Sequence, residues 1–286
     1  MRKIAIHIVL TILCLTPSVK GMAVDRSVTV LTWNTHRMGE FRKPTNNEVL
    51  QYLTQQDADV VCLQEVDVYK DACYLTLADV RRTLNRKYPF SYIDFAIYNR
   101  RHQYGTMVWS KYPLINKQSI HYQSRGNISN RCDMVIGGDT IRLINNHLES
   151  YSFTHDDLVN KDAKHAYEGI IASLQRLKAK WKRATALRNE QSRVVRREIE
   201  SSPYPVGVVG DFNSTSLGYA SWHISSGLYD AWRETHPWQW GTTCEKGGWG
   251  VRIDYILCSD PIKPTECSIQ PLHGSDHHPV VATLAW

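Results

Sequence analysis

Carboxylates, carboxamides and histidines recur in this sequence at the ends of short apolar runs. Asn34 follows Trp33, Glu65 follows Leu63-Gln64, and His147 follows Asn146. Further along come Gly210-Asp211-Phe212-Asn213, then Arg252-Ile253-Asp254-Tyr255, then Gly274-Ser275-Asp276-His277-His278-Pro279. A lone Asp or Asn after a strand is usually a turn former, but six such clusters in one chain are the residue types that attack on a phosphate ester requires. That reaction builds negative charge on the phosphoryl and leaving oxygens, so catalysis is chiefly positioning and electrostatic stabilisation. A hard divalent cation held by one or two carboxylates, water and substrate oxygens stabilises that charge, and magnesium suits such a site. Histidine titrates near neutral pH and can take the proton of an incoming water.

Short strands must position these residues. Val28 to Trp33, Val60 to Leu63, Ile141 to Ile144, Val206 to Val209 and Arg252 to Leu257 are apolar, β-rich runs that read as buried strands. Gly137-Gly138, between Met134-Val135-Ile136 and Ile141-Arg142-Leu143, marks a tight hairpin and hence mixed rather than purely parallel sheets. Between the strands, Thr45 and Glu48 form a capping-box pattern ahead of Val49, Leu50 and Leu53. Leu77, Val80 and Leu84 recur at helical spacing, and 170–182 and 187–199 read as two further helices. The class is α/β or α+β with large sheets, and without a linker the chain reads as one domain.

Composition sets the frame. The 286 residues are 42 % hydrophobic and 22 % charged, which suits a folded domain and argues against disorder. Arg2 and Lys3 precede a short apolar run from Ile4 to Leu15, and Gly21-Met22-Ala23 places small residues where a signal peptidase reads. The layout is that of a secretory signal peptide over 1–23, with an uncleaved interfacial anchor as the other reading; the run is too short to span a bilayer. A single domain over 24–286, exported to the periplasm or outside the cell, is expected. Cleavage lowers the formal charge from +6 to +3, and 161–200 alone carries eleven Lys or Arg against five Asp or Glu. That segment reads either as a polyanion-attracting face or as a solvated helix face. Cys62, Cys73, Cys132, Cys244, Cys258 and Cys267 include no C-x-x-C pair, which disfavours a zinc ribbon or a thioredoxin-like site. Disulfide pairing stays open, with Cys62 expected as a buried free thiol.

The six clusters, in this order over about 245 residues, resemble the endonuclease/exonuclease/phosphatase superfamily. The resemblance covers the chain from Val28 to the C-terminus. It implies an α/β (α+β) fold of two packed mixed β-sheets flanked by helices, a four-layer sandwich. It also implies a divalent-metal-dependent phosphoric ester hydrolase, with Mg2+ or Mn2+ held by Glu65 and with Asn34 and Asp276 completing or bracketing the site. Asp211 and Asn213 would then orient the attacking water and the phosphoryl group. His277 would be the general base, oriented by Asp254, and His147 a second phosphate contact or a proton donor to the leaving group.

The substrate is less legible. His147-Leu148-Glu149-Ser150 resembles the corresponding stretch of tyrosyl-DNA phosphodiesterases, which implies a phosphate contact for Ser150. Arg252 and Trp249 are further substrate-binding candidates. Trp232, Trp238, Trp240 and Trp249 stand in a glycine-rich stretch ahead of Asp254, suited to stacking a base, entering a lipid interface or closing the core. Arg188 and Gln191 read as helix-packing residues. The carboxylate that partners this histidine in deoxyribonucleases is not assigned, and Tyr104, near its expected place, is not a carboxylate, which counts against a deoxyribonuclease activity. A phosphodiesterase or nuclease acting on nucleic acid, nucleotide or lipid head group is the leading expectation, as a monomer with no obligate protein partner. The alternatives are a lipid- or inositol-phosphate-directed enzyme, or an inactive binding protein of the same fold. His273, His277 and His278 hint at zinc, but Gly274 and Pro279 place them on a loop rather than a helix face.

Overall fold

Two sheets form from the apolar runs, and each keeps one parallel pair at its centre. The computed structural model describes residues 26–40, 47–151, 166–246, 249–272 and 274–286, so the expected leader over 1–23 lies outside the described residues. The first sheet contains β1 (Ser27–Asn34), β2 (Val60–Tyr69), β3 (Phe90–Tyr98), β4 (His102–Ser110), β13 (Lys263–Ile269) and β14 (Val280–Ala285), in the order β13-β14-β1-β2-β4-β3. The second contains β5 (Leu114–His121), β6 (Ile128–Ile136), β7 (Asp139–His147), β8 (Val206–Asp211), β9 (Tyr229–Asp230) and β12 (Asp254–Cys258), in the order β5-β6-β7-β8-β12-β9. β1 and β2 run parallel, as do β7 and β8, while the other pairings in both sheets are antiparallel. A separate hairpin joins β10 (Cys244–Lys246) to β11 (Trp249–Val251).

This topology gathers the polar clusters. Asn34, His147 and Asp211 end β1, β7 and β8, while Asp254 opens the antiparallel neighbour of β8. His147 and Asp254 both lie opposite Asp211 in register, so three ionisable residues share one sheet edge. His277 stands just before β14, the antiparallel neighbour of β1.

Side-chain alternation sorts the apolar residues into layers. Val28, Val30, Val60 and Cys62 face Cys132, Met134, Leu143 and Ile256 between the sheets. Leu31, Trp33, Val61 and Leu63 pack outward on α1 (Glu48–Gln55) and α2 (Leu77–Leu84). Ile144, Val208 and Phe212 pack outward on α3 (Ala166–Glu200) and α4 (Tyr219–Ser225) through Val195, Ile199 and Ile224. The result is the expected helix–sheet–sheet–helix arrangement. The Gly137-Gly138 hairpin is present, with both glycines at positive φ.

Three local readings change. Asn47, not Thr45, caps α1, its side chain accepting from the Leu50 N–H at 2.8 Å; Thr45 lies outside the described residues. The capping box belongs instead to α2, through Thr76 and Asp79. The two helices expected over 170–199 are one 35-residue helix, because Arg183-Ala184-Thr185-Ala186 holds neither Gly nor Pro and simply continues the turn. All six cysteines in the described residues are free thiols, and all but Cys73 are buried.

Gly210 shows how closely β7 and β8 approach beside the site. Its φ is +118°, and a Cβ there would fall 2.1 Å from the Asn146 carbonyl oxygen. Gly210→Ala should therefore lose roughly 3 kcal/mol or more of stability, from left-handed strain plus strand displacement. Chemical denaturation checks this, and an unchanged unfolding midpoint would contradict it.

Candidate active site

Glu65 is aimed by a fault in its own strand. The β2–β4 register shifts between Leu63 and Val66, and Glu65 adopts φ +51°, so this bulge turns its carboxylate out of the pleat. Asn34, from the neighbouring strand, donates from its amide to Glu65 Oε1 at 3.0 Å and to Asp211 Oδ2 at 2.9 Å. One carboxamide thus joins the two sheets. Its own Oδ1 accepts from the His36 N–H at 3.1 Å, which starts a left-handed turn over His36–Glu40. His36, Arg37, Met38 and Gly39 all have positive φ, a conformation that costs non-glycine residues about 1–2 kcal/mol each. Burial of Met38, the Asn47 amide on the Met38 carbonyl and a two-point Arg37–Asp67 pair hold the turn.

Asp211 is the most crowded group. It accepts from the Asn213 N–H at 2.7 Å and from the Asn213 amide at 3.0 Å. Asn213 is itself at φ +48°, and its amide also reaches the Leu148 carbonyl at 3.0 Å. Burial, then the charge of Asp254, push the Asp211 carboxyl up to about 6, against the opposing pull of His277 and His147. Glu65 goes the other way. Burial pushes it up, but the nearby His147 imidazole, then the Asn34 amide, outweigh that and hold it at about 2.

The two histidines differ in tether. His277 Nδ1 lies 2.9 Å from Asp254 Oδ2, and its Nε2 lies 3.9 Å from Asp211 Oδ2. Burial lowers the His277 pKa, yet the charges of Asp254 and Asp211 raise it well above the ordinary imidazole value. Trp33 fixes the segment from the core by donating from Nε1 to the His277 carbonyl at 2.9 Å. His147 Nε2 stands 3.5 Å from Glu65 Oε1, and neither ring nitrogen makes a hydrogen bond among the described residues, although the ring is buried. Burial lowers its pKa as well, but Glu65 and Asp211 raise it further.

The remaining candidates are placed unevenly. Asp276 pairs with His36 Nδ1 at 3.0 Å and lies in a group with Cys244 and His277, whereas the close ionisable neighbours of Glu65 are His147 and Asp211. Asn34 faces the carboxylates with its NH2 group, as a donor rather than a ligand oxygen. Ser150 lines a cavity of about 870 Å³ that opens from Glu65 and His147. Arg252, expected at substrate, is buried and clamped to Asp230 by two bonds of 2.9 and 2.7 Å. Trp249 is 82 % exposed on β11 and does not line that cavity. Trp238 and Trp240 are exposed as well, and only Trp232 of the four packs against the core. Arg188 and Gln191 do pack their helix, by gripping the carbonyl and the N–H of Glu149 at 2.6 and 2.8 Å. His278 turns aside to Glu245, and His273 lies outside the described residues.

Sequence reasoning missed His36, Cys244, Ser275 and Thr243. Ser275 donates to the Asn34 carbonyl at 2.8 Å, and Thr243 accepts from the N–H groups of Ile253 and Asp254. Adjacency to Asn34 and Asp276 was the only signal for His36 and Ser275. Nothing local marks Thr243 or Cys244, which reach the site through tertiary pairing.

A divalent cation fits this donor set. Glu65, His147 and Asp211 each offer a ligand atom, all within 4.8 Å of one another. The repulsion between Asp211 and Asp254 is relieved by a positive ion, while the unbonded ring nitrogens of His147 can meet that ion or a phosphoryl oxygen.

Comparison with known proteins agrees with the fold. The family model described as the Endonuclease/Exonuclease/phosphatase family matches residues 31–277. No curated protein sequence matches. Among solved structures, an endonuclease/exonuclease/phosphatase from Beutenbergia cavernae is 17 % identical with a TM-score of 0.65, over 91 % of this chain and 71 % of that one. D. rerio TDP2 complexed with a single strand DNA product is 16 % identical with a TM-score of 0.63, over 90 % and 98 %. Sphingomyelinase C from Streptomyces griseocarneus is 17 % identical with a TM-score of 0.56, over 90 % and 99 %.

The carboxyl pKa directions predict how a cation and pH act together. Burial and then the charge of Asp254 raise Asp211 from 3.8 to about 6, so its cost to the metal-free fold builds up as pH rises between those values and is fully present above about 6. Magnesium should therefore raise the melting temperature more at pH 7.5 than at pH 5, the stabilisation at a hundredfold excess over Kd amounting to about 2.7 kcal/mol. Equal shifts at the two pH values would refute the coupling.

Proposed function

The chain belongs to the endonuclease/exonuclease/phosphatase family of phosphate-ester hydrolases, and within it we propose an exported, magnesium-dependent phosphodiesterase. The observation that carries this reading is the convergence of Glu65, Asp211, Asp254 and two buried histidines at one edge of both sheets. The intact set argues against an inactive binding protein, since loss of activity removes such groups. Glu65 would hold the magnesium, with Asp276 bracketing the site and Asn34 positioning Glu65 through its amide; manganese would fit the same carboxylate oxygens. When bound, the ion polarises the phosphoryl oxygens and offsets charge on the leaving oxygen.

The residues divide the remaining work. Asp254 keeps His277 Nδ1 occupied, so Nε2 is the atom that takes the proton of the incoming water. A single water bonded to both would span the 3.9 Å between Nε2 and Asp211 Oδ2. Asn213, locked by its contacts with Asp211 and the Leu148 carbonyl, directs Asp211 toward that water. His147, raised by Glu65 and Asp211, carries a proton for a phosphoryl or leaving oxygen.

Supported by the D. rerio relative with its single strand DNA product, a nucleic-acid or nucleotide diester is the leading substrate. A lipid head group is the second reading, favoured by the exposed Trp238, Trp240 and Trp249. The export proposal rests on the leader pattern; N-terminal sequencing of protein recovered outside the cytoplasm should start near Val24, and retention of Met1 would overturn it.

Glu65→Gln should reduce turnover of a chromogenic diester by at least a hundredfold with little change in melting temperature, since an amide is a poor substitute for the carboxylate. Activity surviving EDTA would rule out the metal mechanism.

The base assignment has its own signature. His277 must be neutral to accept a proton, so the rate should climb with pH through its titration. Asp254 raises that pKa, so Asp254→Asn should move the limb to lower pH while cutting the maximal rate. His277→Ala should abolish the limb and nearly all activity, and His278→Ala should lose far less. Equal damage from the two alanine variants would withdraw His277 as the base.

A further inference from the structure

Among the described residues, Cys244 is the one buried cysteine that the apolar layers do not use. Cys62, Cys132, Cys258 and Cys267 pack between the sheets, whereas Cys244 lies in neither that layer nor the two outer ones. It opens β10 and stands directly opposite His277. Two backbone bonds pin the pairing, from the Glu245 N–H to the Asp276 carbonyl at 2.9 Å and from the His278 N–H to the Thr243 carbonyl at 2.7 Å. Their placement makes Cys244 and His277 a non-hydrogen-bonded antiparallel pair. In such a pair the Cα atoms approach to about 4.5 Å and the two side chains share a face. His277 is fixed on its other side too, by Trp33 on its carbonyl and by its own N–H on Ser275 Oγ at 3.0 Å.

Cys244 Sγ, an Asp276 carboxylate oxygen and a His277 ring nitrogen all lie within 4.8 Å of one another. Asp276 is half-buried and lines a cavity of about 300 Å³, which gives an ion a way in. One of its oxygens meets His36 Nδ1 at 3.0 Å, and a carboxylate has a second oxygen to offer. Sulfur, imidazole nitrogen and carboxylate oxygen are the donor types of zinc, which takes three protein ligands and an open fourth position in reactive sites. Magnesium takes oxygen and gains nothing from a thiol, so it is not the ion this trio selects. The histidine spacing that hints at zinc in the sequence does not assemble the trio; the cross-strand pairing does.

We propose that Cys244, Asp276 and His277 form an inhibitory zinc site, separate from the magnesium position at Glu65. Zinc there takes a lone pair of the His277 ring, displaces the thiol proton to solvent and leaves the base unable to accept a proton from water. The site rests on the cross-strand geometry, while its effect on rate rests on the phosphodiesterase reading and on His277 as the base.

The test compares the full chain with Cys244→Ser. Zinc is spectroscopically silent, so cobalt(II) reports the ligands. A thiolate-to-cobalt charge-transfer band in the near ultraviolet should grow on titration of the wild type, yield to added zinc, and be missing from the variant. Exposed Cys73 is present in both proteins, so the difference between them belongs to Cys244. Hydrolysis of bis(p-nitrophenyl) phosphate at saturating magnesium is then followed with added zinc, each protein against its own zinc-free rate. The zinc concentration that halves the rate should be about tenfold or more higher in the variant, since even an outer-shell change costs roughly that much in metal affinity. Should Cys244→Ser not fold, Cys244→Ala carries the same comparison. Cobalt spectra that are alike in the two proteins would overturn the site. So would zinc inhibition of equal strength in both that magnesium relieves in proportion, the behaviour of an ion replacing magnesium at Glu65. Absence of diester hydrolysis in both proteins would sink the phosphodiesterase reading, while the cobalt spectrum would still judge the site.

Discussion

The site depends on one carboxamide. Asn34 donates at once to Glu65, from its own sheet, and to Asp211, from the facing sheet, so a single side chain sets the spacing of two carboxylates that would otherwise repel. An amide suits this position because it donates two hydrogen bonds and carries no charge. A lysine would neutralise the carboxylates and remove the attraction for a cation. An aspartate would add a third negative charge to a buried cluster.

The sheets must be held for that amide to reach, and a buried polar seam holds them. Gln64, next to Glu65, donates to Thr32 at 3.0 Å and across to Asn145 at 2.7 Å, while Asn145 donates to the carbonyls of Leu63 and Met107. The inter-sheet layer therefore changes from Val, Ile, Cys and Met to amides as it nears the site. Apolar packing alone is non-directional and tolerates sliding, whereas these bonds fix one register of sheet on sheet. Backbone strain collects at the same edge, in Glu65, Asn213 and the turn from His36 to Gly39. Such conformations persist only where the surroundings over-determine them, and fully buried Trp33 and Met38 supply that constraint.

The strands and their polar ends were legible in the sequence because both depend on local pattern. Val28 to Trp33 and Val206 to Val209 read as buried strands, and buried strands they are. Their shared edge was also legible, but only through the family resemblance. What escaped was non-local or conformational. The bulge that aims Glu65 leaves no mark in Leu63-Gln64-Glu65-Val66, since no glycine or proline announces it. Arg252 looked available for substrate because its partner, Asp230, lies 22 positions away. The break expected in α3 came from grouping apolar residues, when the uninterrupted helix formers between Lys182 and Leu187 already excluded one.

The protonation pattern follows from these placements and separates the two histidines by task. Both are raised by carboxylates, yet His277 is bonded at Nδ1 and so presents one defined nitrogen, while His147 has no bond to fix its ring. A tethered imidazole suits repeated transfer to and from a single water. An untethered buried imidazole, only 3.5 Å from Glu65, has its hydrogen-bonding capacity still to satisfy, and a phosphoryl oxygen entering between the sheets is a group of the right charge to satisfy it. The carboxylates divide in the same sense. Glu65, held at about 2, is anionic near neutral pH and can anchor a cation. Asp211, raised to about 6, stands near the point of exchange and can share a proton with the water it orients. Groups whose environments drive their proton affinities apart are how one cluster supplies both an acid and a base at the same pH, and here the separation is produced by which strand end each carboxylate occupies.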